Sequence, residues 1–233
     1  MLDSRYPNPL RLVADKRMMH KLRRDAARGK VYSRRTVAAN FAWMRPNELV
    51  FNYVANNWLM GNDPPAFDIL AWNSDGTNLV ARFDADMLDI YAESKAATPG
   101  AITLLDTPLD LGKVTCDNCI IGGQTDHITP WVPCYMTSQL LPGPSEVIST
   151  STGHIQTIVN PPGKPRARYF AGPEPGPDPD AWLRDATEEQ GSWWPRYAEW
   201  LIARSGEERD APKNLGSPDH PPGDPAPGRY VRD

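Results

Sequence analysis

The chain has 233 residues, 40% of them hydrophobic and 23% charged, with a formal net charge of −4 at pH 7. That length is enough to bury one sizeable core, and the acidic balance is no footprint for nucleic acid. No apolar run reaches the length of a membrane span, the first residues lack the pattern of a signal peptide, and three Cys make no disulfide framework and point to a reducing compartment.

In chain order, residues 1–10 read as irregular, with Pro7 and Pro9. From Asp15 to Arg35 runs a basic, Ala-containing helical stretch. Its cations are read first as a solvated helix face. The alternative is a positive rim for an anionic substrate, such as a nucleotide-bearing thioester. Phe51, Val54, Ala55, Trp58 and Leu59 recur at helical spacing before a break at Gly61-Asn62-Asp63-Pro64-Pro65. A short aromatic run follows over 67–73. Phe83, Met87, Leu88 and Tyr91 mark another helix, stopped near Pro99-Gly100. The first hundred residues are therefore expected to be helical, as a core, as a cap over an apolar site, or both.

After Gly100 the pattern changes. Residues 101–105, 119–122 and 146–150 are short apolar or β-branched runs bounded by turns, and 130–141 reads as a helix. This alternation predicts an α/β fold holding the last strands of a mostly parallel sheet. Residues 192–205 predict an amphipathic helix packed on the sheet face, with Trp193, Tyr197, Trp200 and Leu201 at i, i+4, i+7 and i+8. Many of the 25 Pro residues lie after Pro161, which predicts extended connections and a tail. Three regions are expected: helical over 1–100, sheet-bearing over 101–206, and a Pro-rich tail over 207–233.

Two turns carry candidate chemistry. Gly122-Gly123-Gln124-Thr125-Asp126-His127 and, 28 residues on from Asp126, Thr152-Gly153-His154 each follow a strand. An Asp and then a His at strand ends is how α/β-hydrolases present the last two members of a nucleophile–acid–base triad. The carboxylate would fix the tautomer of the imidazole and stabilise its charged form. Spacing alone leaves a second reading open, in which Asp126 caps the helix that follows it and His154 is a buried turn residue. A structural role is the simpler reading of His127. His20 and His220 receive none. Cys116 and Cys119 have the C-x-x-C spacing, but a zinc site needs more ligands at regular spacing, and a redox pair belongs at a helix N-terminus. No metal or cofactor is expected. No G-x-S-x-G, G-x-C-x-G, P-loop or G-x-G-x-x-G occurs, so the nucleophile elbow is absent from these residues.

Six stretches carry a family resemblance: residues 44–53 (Met-Arg-Pro-Asn-Glu-Leu-Val-Phe-Asn-Tyr), 65–73 (Pro-Ala-Phe-Asp-Ile-Leu-Ala-Trp-Asn), 125–131 (Thr-Asp-His-Ile-Thr-Pro-Trp), Gly153-His154-Ile155 with Val159-Asn160-Pro161-Pro162, Gly191-Ser192-Trp193-Trp194-Pro195, and Pro227-Gly228-Arg229-Tyr230-Val231. In this order they resemble the C-terminal part of polyhydroxyalkanoate synthases of the class I/II type. The resemblance implies the C-terminal part of an α/β-hydrolase fold under a helical cap, with the N-terminal strands and nucleophile elbow lying outside these residues. It implies an acyltransferase that polymerises (R)-3-hydroxyacyl-CoA into a polyester with release of CoA. A Cys–His–Asp mechanism would have Asp126 and His154 as acid and base, with Asp126 also helping to activate the 3-hydroxyl group. His127 and Trp131 fall in the same motif and are placed near the substrate pocket. The implied partners are the acyl-CoA, the growing polyester, and a second copy or a full-length synthase. The implied location is the cytoplasm, at the surface of polyester granules. Without the Cys, residues 1–233 alone are expected to be inactive. Two rival readings are a non-catalytic partner or granule-associated fragment of a full synthase and, more weakly, an esterase or depolymerase of the same fold.

Overall fold

The computed structural model describes residues 2–7, 16–44, 46–64, 75–226 and 228–229; the aromatic run over 67–73, Asp15, Arg45, Pro227, Tyr230 and Val231 lie outside them. The described residues combine helices with three small sheets.

The first region is built on two helices, α1 (Lys16–Ala27) and, further along, α3 (Ala81–Ala92). Between them come strand β1 (Val31–Tyr32), α2 (Arg34–Met44), two π-helical turns (Asn47–Phe51 and Val54–Leu59) and β2 (Leu79–Val80). β1 and β2 pair antiparallel. Small residues let α1 and α3 approach closely. Ala81 and Ala85 are buried on α3, and Ala85 packs with Met19 and Leu22 of α1. The larger apolar residues of α3 behave differently from the sequence expectation, since Phe83 and Met87 are exposed. The stretch from Phe51 to Leu59 is helical as expected, yet Trp58 is 81% and Leu59 79% exposed. Its hydrogen bonds have lengthened to i→i+5, as from Met60 N to Ala55 O at 3.1 Å, so a stripe spaced for an α-helix no longer holds one face.

The basic stretch is not one helix. It breaks at Gly29, whose φ of 65° suits a residue without Cβ. Among the described residues its cations engage in ion pairs: Lys21 and Lys30 with Asp25, Arg23 with Asp89 and Glu93, and Arg34 with Asp75. Asp25 is buried, and the Lys30 ammonium, followed by the Tyr32 hydroxyl, holds its carboxyl far below the usual carboxylate range. A buried charge of this kind is tolerated because it is paired on every side.

Residues 103–104 (β3, Thr103–Leu104) do not enter the main sheet as expected. They close a two-strand hairpin with β4 (Thr107–Pro108). Leu105 and Asp106 take φ values of 46° and 60°, the left-handed pair that a tight hairpin turn requires, and Leu105 points to solvent.

The main sheet has the order β5-β6-β7-β8, made of β5 (Asn118–Gly123), β6 (Ser145–Thr150), β7 (Arg168–Ala171) and β8 (Thr187–Gln190). It is mixed rather than mostly parallel. β5 and β6 pair parallel from Asn118↔Ser145 to Gly123↔Thr150, whereas β6–β7 and β7–β8 are antiparallel. The connection after β5 carries α4 (Trp131–Tyr135) and a 3₁₀ turn (Met136–Gln139), and it returns the chain to the start of β6. The connection after β6 carries only the five-residue α5 (His154–Ile158). At about 1.5 Å per residue such a helix spans less than half the length of a six-residue strand. The chain therefore turns back at the same end and pairs Thr150 with Tyr169.

The core on one face of this sheet gathers Tyr135, Met136, Val147 and Trp182, the last from α6 (Pro179–Asp185). Buried aromatic groups need partners for their polar tips. Tyr135 Oη donates to Gly176 O at 2.9 Å, and Trp182 Nε1 donates to Pro173 O at 2.9 Å. The start of α6 is fixed by Asp178, whose carboxylate accepts the amides of Asp180 and Ala181, with Pro179 at the first helical position.

The chain divides into two compact units, residues 1–195 and 196–233. Helix α7 (Trp194–Ser205) begins just before that boundary. In the second unit Tyr197 and Trp200 stack at 6.0 Å, and the Arg204 guanidinium lies 4.3 Å over the Trp200 ring. From Gly206 the described residues form bends and isolated turns. Among the described residues no helix is long and apolar enough to cross a membrane.

Candidate active site

Two glycines bring the elements of the site together. Successive side-chain positions on a strand point to opposite faces. A Cβ at Gly122 would sit 3.2 Å from Trp131 Cα and 3.3 Å from Cys134 Cβ, on α4. A Cβ at Gly123 would sit 2.1 Å from Thr157 Oγ1, on α5, and 2.6 Å from Thr152 O. The end of β5 is thus held between the two helices at a separation that only glycine permits. Past the strand, Gln124 N donates to Thr150 O at 2.8 Å, and Asp126 N donates back to Gly123 O at 3.1 Å, which turns the chain.

That turn aims the Asp126 side chain inward, where it is 4% exposed. Oδ1 accepts the amides of Ile128 at 2.8 Å and Thr129 at 2.9 Å. Oδ2 accepts the Thr129 hydroxyl at 2.8 Å and lies 2.9 Å from His154 Nδ1. Burial is the largest single influence on this carboxyl and pushes its pKa up. The Thr129 amide, His154, the Thr129 hydroxyl and the Ile128 amide together outweigh it, and the net shift is down. Asp126 is therefore ionised at neutral pH. An ionised carboxylate can only accept, so Nδ1 of a neutral His154 carries the proton and Nε2 is the free basic nitrogen.

His154 is the first residue of α5, after Gly153 in extended conformation. It is not buried, since its side chain is 42% exposed. Asp126 does not cap α4 either, because the residue at that helix's N-cap is Pro130 and no side chain bonds there. Oδ1 organises the backbone that leads into α4, and Oδ2 holds the imidazole.

His127 stands beside the pair, with ring centroids 6.5 Å from His154 at 69°. Trp131 opens α4 and packs into the aromatic cluster, 5.9 Å from Tyr135 and 6.4 Å from Trp182. None of the three Cys is in a disulfide. Cys134 is buried, its Sγ donates to Thr129 O at 3.7 Å, and burial pushes its pKa up, the reverse of what a nucleophile needs. Cys116 is exposed, and Cys119 lies within β5. Among the described residues no group of three or more His, Cys, Asp or Glu is placed to hold a metal ion.

The sequence reading missed Thr129 and Thr157. The amide of Thr129 was legible in principle, because an Asp side chain often accepts backbone amides two and three residues on, but its hydroxyl was not. Thr157 Oγ1 donates to Gly153 O at 2.8 Å and lies 3.1 Å from Thr150 Oγ1, which ties α5 to the end of β6. Taken together, the site holds an imidazole by one nitrogen against an ionised carboxylate and leaves the other nitrogen for proton transfer.

No family model matches the chain. Several characterised proteins do match. Poly(3-hydroxyalkanoate) polymerase 2 of Ectopseudomonas oleovorans is 44% identical over 99% of this chain and 41% of its own length. Poly(3-hydroxyalkanoate) polymerase 1 of the same organism is 40% identical over 100% of the chain and 42% of its own length. The poly(3-hydroxyalkanoate) polymerase subunit PhaC of Cupriavidus necator is 38% identical over 84% of the chain and 33% of its own length. The chain is thus related to these polymerases along nearly its whole length, while it spans about two fifths of the length of the first two.

Proposed function

We propose that this homologue of the poly(3-hydroxyalkanoate) polymerases supplies the acid and base of a Cys–His–Asp acyltransferase acting on (R)-3-hydroxyacyl-CoA. The observation that carries the proposal is the Asp126–His154 pair, with a buried carboxylate on Nδ1 and Nε2 left for chemistry. In the first step Nε2 takes the proton of a Cys thiol. The thiolate attacks the thioester carbonyl, the C–S bond to CoA breaks, and the departing CoA thiolate receives the proton from Nε2. In the second step Nε2 takes the proton of an incoming 3-hydroxyl group, whose oxygen attacks the enzyme-bound acyl thioester. The Cys sulfur leaves and receives that proton back. Assigning both proton transfers to His154 fits the geometry better than assigning the second to Asp126. Both carboxylate oxygens of Asp126 already accept two hydrogen bonds each.

The thiol is proposed to come from a G-x-C-x-G elbow outside residues 1–233, on a strand of an α/β-hydrolase sheet that β5 and β6 extend. Residues 1–100 are proposed as the cap, 101–206 as the catalytic half and 207–233 as the tail. The polyester granule surface is the proposed location.

The test replaces the matching two fifths of Ectopseudomonas oleovorans polymerase 2 with residues 1–233. The expected result is CoA release from 3-hydroxyacyl-CoA by the hybrid, its loss in the His154→Ala hybrid, and none from residues 1–233 alone. A His154→Ala hybrid with full turnover would overturn the proposal. The second reading, a non-catalytic partner of a full synthase, draws on the exposed Trp43, Phe51, Trp58 and Leu59. It predicts that the 233-residue chain binds a full-length polymerase and that the hybrid is inert.

A further inference from the structure

We infer that Ser192, Trp193 and Trp194 form a positioning clamp on the helix that carries His154. This inference rests on the reading of His154 as the base. Helix α5 has five residues, little more than one turn. A helix that short is marginal on its own, and its last carbonyls have no partners within it. Here two residues from more than thirty positions downstream supply partners for its last two carbonyls, and the residue before them bonds a carbonyl two residues past the helix. Trp193 Nε1 donates to Thr157 O at 2.8 Å, and Trp194 Nε1 donates to Ile158 O at 3.0 Å. The Ser192 hydroxyl donates to Asn160 O. The same hydroxyl accepts the Trp194 amide at 3.1 Å, so it also fixes the segment that presents the two indoles.

The chemistry of the indole makes this more than packing. An indole N–H is a donor only, and it is directional. The two rings meet edge-on at 6.4 Å and 78°, so that adjacent residues reach adjacent carbonyls. At the other end of α5, the Thr157 amide and hydroxyl close on Gly153 O at 2.9 and 2.8 Å. The peptide that leads into His154 is thus held through Thr157, and Thr157 is in turn held by Trp193. No atom of the clamp is placed at the reacting groups, so these are positioning residues.

The informative variant is Trp194→Phe, because the Trp194 ring is partly exposed and Phe keeps an aromatic ring while removing the N–H. Ser192→Ala is the second variant, in case the first fails to fold. The probe is the His154 side chain in the 233-residue chain, read by nitrogen-15 NMR of the imidazole, together with amide hydrogen exchange at Thr157 and Val159. The expected result is an unchanged circular dichroism spectrum with exchange at those two amides faster by about fivefold, the factor that one net hydrogen bond carries. Mixed Nδ1–H and Nε2–H signals are expected where the wild-type chain shows Nδ1–H alone. Unchanged exchange and an unchanged tautomer signal in the folded variant would overturn the clamp. In the hybrid polymerase, Trp194→Phe is expected to lower kcat with KM unchanged. Loss of activity in His154→Ala with none in the clamp variants would overturn the clamp while leaving the function intact. Full activity in His154→Ala would overturn the function, and the NMR result would still decide the clamp as a device that holds α5.

Discussion

The loop at the end of β5 and the helical stretch before residue 60 treat their side chains in opposite ways. Around Asp126 the polar groups are matched to partners. The carboxylate accepts four hydrogen bonds, Thr129 and Thr157 bridge backbone and side chains, and glycines sit where a Cβ would collide. Around Trp58 the largest apolar side chains stand in solvent, and no residue of either π-helical turn is buried. The first region is over-determined by local contacts, so its geometry follows from the residues themselves. The second is not, so its apolar residues remain open to something else. A change of one atom should therefore be costly in the first region and nearly silent in the second.

The largest effect is expected at the carboxylate. Asp126→Asn keeps the shape and the acceptor that serves the Ile128 and Thr129 amides, but it removes the charge that sets the tautomer of His154. In the hybrid polymerase this should lower kcat by about 10⁴-fold, the loss seen when an orienting carboxylate becomes an amide. Steady-state CoA release would measure it, and a loss below about tenfold would contradict the role. The same group sets a pH dependence. Its folded pKa lies below the unfolded value of about 3.9. Its contribution to stability is thus present in full well above pH 4 and is lost as pH falls through the depressed folded value. Denaturant unfolding followed between pH 7 and pH 3 should show a decline in the wild type that is shallower in Asp126→Asn.

Next in size comes Gly123. Its missing Cβ would lie 2.1 Å from Thr157 Oγ1 and 2.6 Å from a backbone carbonyl, so neither β5 nor α5 can stay in place around an alanine. Gly123→Ala is expected to destabilise by about 3 kcal/mol, at the upper end of ordinary overpacking. Gly176→Ala, with nothing within 4 Å of the added carbon, serves as the control. Urea midpoints for the two variants would measure the difference, and equal midpoints would show that the β5–α5 contact is looser than described.

How much of this was legible beforehand follows the same division. β5, β6 and α4 were visible because their residues are apolar runs bounded by turns, and Asp126 and His154 were visible because each follows such a run. β7 and β8 were not. Arg168-Tyr169-Phe170-Ala171 is short, and Thr187-Glu188-Glu189-Gln190 has no apolar residue. β8 is an edge strand held by cross-strand polar pairs, Arg168 with Glu188 at 3.1 Å and Tyr169 with Glu189 at 2.6 Å, which hydrophobic patterning does not reveal. α6 carried a readable signal in Asp178-Pro179 that was masked by the surrounding prolines. In the site, the carboxylate and the imidazole announced themselves, but the hydroxyls that fix them did not, because Thr is common and its partners are set by the tertiary fold. In the helical region the 3.6-residue period was correct as a sign of helix and misleading as a sign of burial.

The smallest expected effect lies in that region, and it is the most informative about the rest of the protein. Trp58→Ser and Leu59→Ser remove large apolar groups that are about four-fifths exposed in this structure. If nothing covers them, each change should alter the unfolding free energy by no more than about 0.5 kcal/mol, the range for surface substitutions. Ile148→Ala, at a fully buried position of β6, should by contrast cost about 2–5 kcal/mol. Exposed apolar groups of this size mark surfaces that bind something. The double variant is expected to leave the unfolding midpoint of the 233-residue chain unchanged at concentrations where sedimentation velocity shows a monomer. In the hybrid polymerase the same two substitutions should be destabilising if the remaining three fifths of that protein covers this face. A loss confined to the hybrid would place the covering surface in the polymerase that receives residues 1–233, whereas a loss in the isolated chain would mean that Trp58 and Leu59 are buried in solution by a second copy.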